Sequence, residues 1–233
     1  MLSVRALTEE QMDAGDLDPA VYTRVLADLA KVNSVTLARR PTLAFLDKIT
    51  ASSKPLKILD VGFGNGDMLR AIARWGEKRG RAVELTGIDL NPKSASAARS
   101  ATPESTAPES TAINYQTGDY ADLAGQNWDV ILSSLVAHHM SHPQLIAFLR
   151  FMEAEAEAGW HINDLHRHSF AYTGYPLLAR IMGWHRIVRQ DGQLSIARSY
   201  RPAEWGPLLQ EAGIAEAQTV RRFPFRLCVD RYK

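Results

Sequence analysis

The sequence predicts a doubly wound α/β fold on a mostly parallel sheet, and three observations carry that expectation. From residue 56 onward, short apolar runs alternate with helical patterns, as strands and crossover helices do in such sheets. The first run, Lys57-Ile58-Leu59-Asp60-Val61, breaks into Gly62-Phe63-Gly64-Asn65-Gly66-Asp67, with glycine at alternate positions, and Met68 to Lys78 then read as a helix. Three acids, Asp60, Asp89 and Asp119, stand roughly 30 residues apart, each where a doubly wound sheet would present it on the ligand side.

Composition bounds the rest. The chain has 233 residues, 45% hydrophobic and 23% charged, enough for one large domain with elaborations. Its 27 Lys and Arg nearly cancel 26 Asp and Glu, so no global positive field favours nucleic acid or an anionic membrane, and neither partner is expected. The single cysteine, Cys228, has no internal partner, which fits a reducing compartment. Glu9, Glu10, Asp13 and Asp16 stand where a signal peptide would need a basic start and an apolar core, and no run approaches the ~20 apolar residues of a spanning helix. The expected location is the cytoplasm.

In chain order, residues 1 to 55 read as a helical cap. Asp18-Pro19 is a start signal, followed at helical spacing by Val21, Val25, Leu26, Leu29 and Val32, and a second segment runs from Pro41 to Ile49. Arg39 and Arg40 stand between them as solvated cations, or with one reaching a bound carboxylate. The second strand, Val83 to Asp89, ends in an acid roughly 23 residues beyond Gly66, where a carboxylate can accept both ribose hydroxyls of a nucleoside. Asn91-Pro92 starts the next helix, and residues 102 to 111, which repeat Pro-Glu-Ser-Thr, read as a solvated loop. A third strand from Ile113 ends at Asp119-Tyr120. A fourth, Trp128 to Ser134, is apolar on both faces and runs into His138 and His139; a helix follows from Pro143 to Glu157. Gly159 precedes a fifth strand, Trp160 to Leu165, then His166-Arg167-His168. An aromatic insertion at 169–200, a helix from Arg201-Pro202 to Gly213, and β-rich runs at 217–223 and 226–229 complete seven strands.

Spacing distinguishes the glycine loop from the dinucleotide fingerprint G-x-G-x-x-G, because Asp67 stands where the third glycine of that fingerprint would fall. The pattern Asp-x-Gly-x-Gly-x-Gly resembles motif I of the class I S-adenosylmethionine-dependent methyltransferases, and with Asp89 and Asp119 the resemblance extends over residues 58–140; as architecture it covers roughly 57–230. It implies a Rossmann-like, seven-stranded sheet closed by an antiparallel pair, with S-adenosylmethionine as cofactor. On that resemblance Asp60, Gly62, Phe63, Gly64 and Gly66 hold the amino-acid end, Asp89 and Leu90 the ribose, Asp119 and Tyr120 the adenine, and Ser133 the end of strand four. It further implies N-terminal helices over the pocket, and a lid from the insertion at 166–200, following the core at 56–165 and preceding the C-terminal helix and strand pair at 201–233. The segments around His138 and Ile162 to His168 look like those of small-molecule methyltransferases near quinone and polyketide pathways. The expected acceptor is therefore small and aromatic or polyketide-like, with transfer to oxygen foremost and to carbon or nitrogen behind it, by a monomer or homodimer.

The chemistry of such a transfer needs a deprotonated nucleophile more than a large catalytic apparatus. Imidazole suits the task because it can take a phenolic proton near neutral pH, so the candidates are His139, His166 and His138, with Arg167 stabilising the phenolate. The competing reading is structural: one histidine caps a helix and the other packs on the cofactor. No metal is expected, because the magnesium-dependent relatives need a carboxylate at the end of strand four, where this chain has Ser133, Ser134 and histidines, and magnesium prefers oxygen to imidazole. The aromatic insertion, bordered by Arg180, Arg186, Arg189 and Arg198, suits a planar acceptor or packs as a helical subdomain of its own. Two other function classes stand beside this one, a nicotinamide-dependent oxidoreductase and a non-catalytic adenosylmethionine-binding module.

Overall fold

A computed structural model of the chain describes residues 2–50, 55–102 and 112–233. Most of the Pro-Glu-Ser-Thr repeat lies outside the described residues. Seven strands form one sheet in the order β3-β2-β1-β4-β5-β7-β6, from β1 (Leu56–Val61), β2 (Val83–Asp89), β3 (Ile113–Thr117), β4 (Trp128–Ser134), β5 (Ala156–Leu165), β6 (Gln218–Arg222) and β7 (Arg226–Tyr232). The first five run parallel and β7 is antiparallel to both β5 and β6, so the fold is the expected Rossmann-like sheet.

Strand alternation divides the core. Leu59, Val61 and Ile131 face a layer made by α5 (His142–Glu155) and α8 (Pro202–Ala212), centred on buried Phe148, Leu149 and Trp205. Ile58, Leu85, Val130 and Leu132 face the other layer, made by α2 (Arg40–Leu46), α3 (Asp67–Arg79) and α4 (Pro92–Ser100). Local signals set the helix starts: Asp18 caps α1 (Pro19–Val35) by accepting from the Ala20 and Val21 amides, and Asn91 caps α4 through the Lys93 amide. β5 begins earlier than the sequence suggests, at Ala156. Gly159 lies inside it, where the pairing with β4 shifts register between Trp128 and Val130, and a bulge of this kind has no simple sequence period.

The insertion folds as two helices, α6 (Ser169–Ile181) and α7 (Arg186–Arg198). They build a separate apolar cluster with α1, in which Val25 and Val32 meet Ala179, Trp184, Ile187 and Val188. Asp28 on α1 ties the two together by accepting from the His185 amide at 2.8 Å. The N-terminal segment is laced along α7. The Ala6 amide donates to the Ala197 carbonyl at 3.0 Å, and Asp191 accepts from the Gln11 and Met12 amides at 3.1 and 2.9 Å. No described helix is long and apolar enough to cross a membrane.

Asp191 is the fastening of that segment. Replacing its charged acceptor (Asp191→Ala) removes hydrogen bonds worth about 1.5–3 kcal/mol each. The Gln11 and Met12 amides should then exchange with deuterium at least ~10-fold faster while the β1 and β4 amides keep their protection. Unchanged exchange at residues 11 and 12 would show that the apolar contacts of Met12 hold the segment unaided.

Candidate active site

The turn from β1 into α3 opens onto a cavity of about 400 Å³, walled by that turn, the segments after β4 and β5, and helices α1, α6 and α7. All three loop glycines have positive φ, and two of them matter differently. A Cβ on Gly66 (φ +68°) would sit 2.5 Å from the Tyr115 hydroxyl oxygen, so that position is fixed by packing behind the loop. A Cβ on Gly64 (φ +53°) would meet nothing nearer than Leu26 at 3.7 Å, because that side of the loop faces the cavity. The loop therefore presents bare backbone beside the N-terminus of α3, a place suited to a carboxylate.

Asp60, at 1% exposure, lines the same cavity, and its Oδ1 has no hydrogen-bond partner. Burial, with Asp67 and Asp89 nearby, pushes its pKa up to about 8. An orphaned carboxylate facing a cavity is a natural partner for an ammonium or sulfonium centre. Asp67 also reaches the cavity and is held by Arg39 Nη1 at 2.8 Å, so Arg39 is engaged with an acid of the loop. Asp89 accepts from the Gly64 amide through Oδ2 and the Asn91 amide through Oδ1, each at 2.9 Å, which fixes the β2 carboxylate against the loop. Burial raises its pKa. Beyond it Leu90 is exposed. Asp119 is exposed and caps the turn after β3, accepting from the Ala121 amide at 2.9 Å, and Tyr120 packs edge-on against Phe148 and tilted against Phe151. Leu90, Asp119 and Tyr120 thus lie along the strand ends outside the cavity wall. Phe63 lines the cavity and packs on Tyr115.

Four residues come out differently from the sequence reading. Ser133 is turned into the sheet, its hydroxyl donating to the Val61 carbonyl at 3.2 Å; alternation along β4 gives the cavity to Ser134 instead. His166 and Arg167 lie in a separate shallow concavity with His168, Arg201 and Arg221, away from the cavity that His138 and His139 line. Arg167 is fully buried, donating to the carbonyls of Leu2 and Ser199 and to Glu204, so it is a packing cation on β5's far side rather than one placed beside the loop. Arg198 also departs from the border expected of it. It is buried, and it donates to the carbonyls of Thr8, His138 and His139.

The histidine pair is held by carboxylates. His138, at 2% exposure, donates from Nδ1 to Asp164 Oδ1 at 2.7 Å, and its amide donates to Asp164 Oδ2 at 2.9 Å. His139 donates from Nδ1 to Asp13 Oδ2 at 2.9 Å. With their Nδ1 atoms committed, both rings turn Nε2 toward Glu10 Oε1, at 3.5 Å from His138 and 3.9 Å from His139, and all three residues line the cavity. Glu10 itself is buried and accepts from the Ser195 hydroxyl at 2.8 Å. Burial opposes charge on His138, but Asp164 and Glu10 outweigh it and push its pKa up to about 9. Burial is likewise outweighed at Glu10 by His138 and at Asp164 by His138, so both carboxyls sit below their ordinary range. Glu10 and Asp13 escaped the sequence reading as site residues, because they lie far along the chain and carry no motif.

Residues 58–155 match the sequence profile of the family described as Methyltransferase domain. The matched segment runs from β1 to the end of α5 and holds the glycine loop with Asp60, Asp89 and Asp119. Solved structures share the fold at low identity. A Nostoc punctiforme PCC 73102 protein assigned to the O-methyltransferases is 18% identical, with a TM-score of 0.63, over 100% of this chain and 65% of its own. Human N-acetylserotonin methyltransferase in complex with SAM is 15% identical (TM-score 0.62; 93% of this chain and 56% of that one). An Aquifex aeolicus SAM-dependent methyltransferase is 16% identical (TM-score 0.60; 93% and 98%). The chain thus spans less than two thirds of the length of the first two. No curated protein sequence matches it. The residues present fit S-adenosylmethionine, the ligand of the human structure, since the open face of Gly64 and the unpartnered Asp60 Oδ1 supply what its amino-acid end requires.

Because the folded protein holds the Asp60 proton more tightly than the unfolded chain does, this group's contribution to stability falls as pH rises between about 4 and 8. Asp60→Asn should therefore flatten that fall and raise the melting temperature of the ligand-free protein at pH 8. Parallel stability curves for the two proteins from pH 5 to 8 would show that Asp60 is already ionised in the free state.

Proposed function

We propose that the protein transfers the sulfonium methyl of S-adenosylmethionine to a hydroxyl oxygen of a small, largely apolar acceptor, aromatic or polyketide- or quinone-like. The observation that carries this reading is one cavity joining the Asp60–Gly64 loop to the His138–His139–Glu10 cluster beneath an apolar roof. Gly62, Phe63, Gly64, Gly66 and Asp60 take the amino-acid end of the cofactor, with its carboxylate at the α3 N-terminus. Asp89 accepts the ribose hydroxyls, and the adenine lies along the strand ends by Leu90, Asp119 and Tyr120. The acceptor lies under Val25, Leu29, Tyr175, Leu178 and Ile187 of the three roofing helices, a lining that favours an apolar ring. Its hydroxyl proton is removed at the histidine cluster. A phenol titrates near pH ~10, so that removal is what the site must supply beyond proximity. Low identity to an O-methyltransferase supports oxygen as the methylated atom through the shared fold alone.

Incubating the protein with labelled S-adenosylmethionine and a panel of phenols, quinols and carboxylic acids tests this directly. Label should enter an aromatic hydroxyl. Tight cofactor binding without transfer to any class would favour a non-catalytic binding module, and preference for NAD over S-adenosylmethionine would return the oxidoreductase reading.

Two substitutions separate binding from chemistry. Asp89→Ala removes charge-assisted hydrogen bonds and should weaken S-adenosylmethionine at least ~30-fold in calorimetry with the fold intact. His139→Ala should lower kcat at least ~100-fold while the cofactor binds as before, since a positioned proton acceptor is typically worth 10²–10⁴-fold. Normal turnover in that variant would leave proximity as the whole of catalysis.

A further inference from the structure

The sequence argues against a metal because no carboxylate follows β4. The fold supplies one from elsewhere: the laced N-terminal segment delivers Glu10 to the two histidines. We propose that Glu10, His138 and His139 form a site for a divalent first-row transition ion, zinc in character, to which the acceptor hydroxyl binds. This rests on the reading of the cavity as the acceptor site.

Three features of the geometry point there. The donor atoms of Glu10, His138 and His139 all lie within 4.8 Å of one another. The Nε2 to Oε1 separations, 3.5 and 3.9 Å, are too long for good N–H···O hydrogen bonds, which span 2.7–3.2 Å. They approach the ~3.4 Å edge of a tetrahedron with bonds of about 2.1 Å, the spacing of ligands around zinc. Third, each imidazole has its Nδ1 hydrogen-bonded to a separate carboxylate, Asp164 for His138 and Asp13 for His139, an arrangement that fixes the ring and leaves Nε2 to ligate. Glu10 has its own support in Ser195. Two imidazoles and one carboxylate match the donor preferences of zinc and iron(II), not those of magnesium.

An ion held by three protein ligands on the cavity wall keeps open positions toward the cavity. An acceptor hydroxyl bound there loses its proton to solvent as the O–metal bond forms, because the cation stabilises the oxyanion. The oxygen lone pair then attacks the sulfonium methyl. The S–CH₃ bond breaks as the O–CH₃ bond forms, giving the methyl ether, S-adenosylhomocysteine and one proton, with no change of oxidation state.

The test uses the full chain, stripped with a chelator and titrated with Co²⁺ alone, followed by calorimetry and visible absorption. One Co²⁺ per chain is expected, with the ligand-field bands of a four- or five-coordinate nitrogen and oxygen site. His139→Gln, at a partly exposed position that should fold, is expected to weaken Co²⁺ at least ~100-fold, and Asp13→Asn, which alters only ring orientation, about 10-fold. S-adenosylmethionine affinity should be unchanged in both. The proposal is overturned if the stripped protein binds neither Co²⁺ nor Zn²⁺, if His139→Gln binds Co²⁺ like the parent, or if protein verified metal-free transfers methyl at an undiminished rate. In the last case the methyltransferase reading stands and the cluster is a metal-free base. Co²⁺ binding without any S-adenosylmethionine binding would instead support the metal site and remove the reading of the cavity.

Discussion

Asp164 carries a charge out of water at the end of β5, and much of the cavity floor is arranged around meeting it. Burying a carboxylate without partners costs several kcal/mol, so the surrounding chain must provide donors. It does so with the Leu165 amide, the His138 amide and His138 Nδ1. Those bonds fix the path of the chain after β4, which enters the turn through Leu135 at φ +63°. Because the path is fixed, the His138 and His139 rings lie 4.2 Å apart, tilted by 40°, and turn their remaining nitrogens toward Glu10. Glu10 and Arg198 then complete a buried cluster in which every charge has an opposite neighbour.

The pocket has two walls of different character. The sheet wall is polar and rigid, made of strand-end acids and a glycine loop whose backbone angles are set by Tyr115 behind it. The helical roof is apolar and comes from segments far apart in sequence, α1 on one side and α6 with α7 on the other. Such a division suits a reaction with a charged donor and an apolar acceptor. On the proposed function, the fixed wall takes the sulfonium compound and the roof takes the acceptor.

Legibility in the sequence follows the same division. Strands β1, β2 and β4 are short apolar runs, their order is constrained by right-handed crossovers, and the glycine loop has a local signature, so the fold and the location of Asp60, Gly64 and Asp89 could be read directly. His138 and His139 were legible as a pair at a strand end. Their partners were not. Glu10 and Asp13 are surface-type residues whose placement, and for Glu10 burial, depends on where a helix more than 170 residues later runs, and no local period reports that. The same limit misplaced Arg167: adjacency to a strand end says nothing about which side of the strand the chain then follows. Ser133 and Ser134 differ by one position, and only the pairing of Val61 with Ser133 decides which faces the cavity.

The lacing of residues 6 to 13 along α7 has a consequence for how the protein comes into being. That segment is synthesised before the sheet, whereas Asp191, Ser195 and Ala197 are made only after all five parallel strands. Glu10 therefore cannot reach the buried position it holds here until α7 has been made. The carboxylate that faces the two histidines thus depends on a part of the chain made long after it.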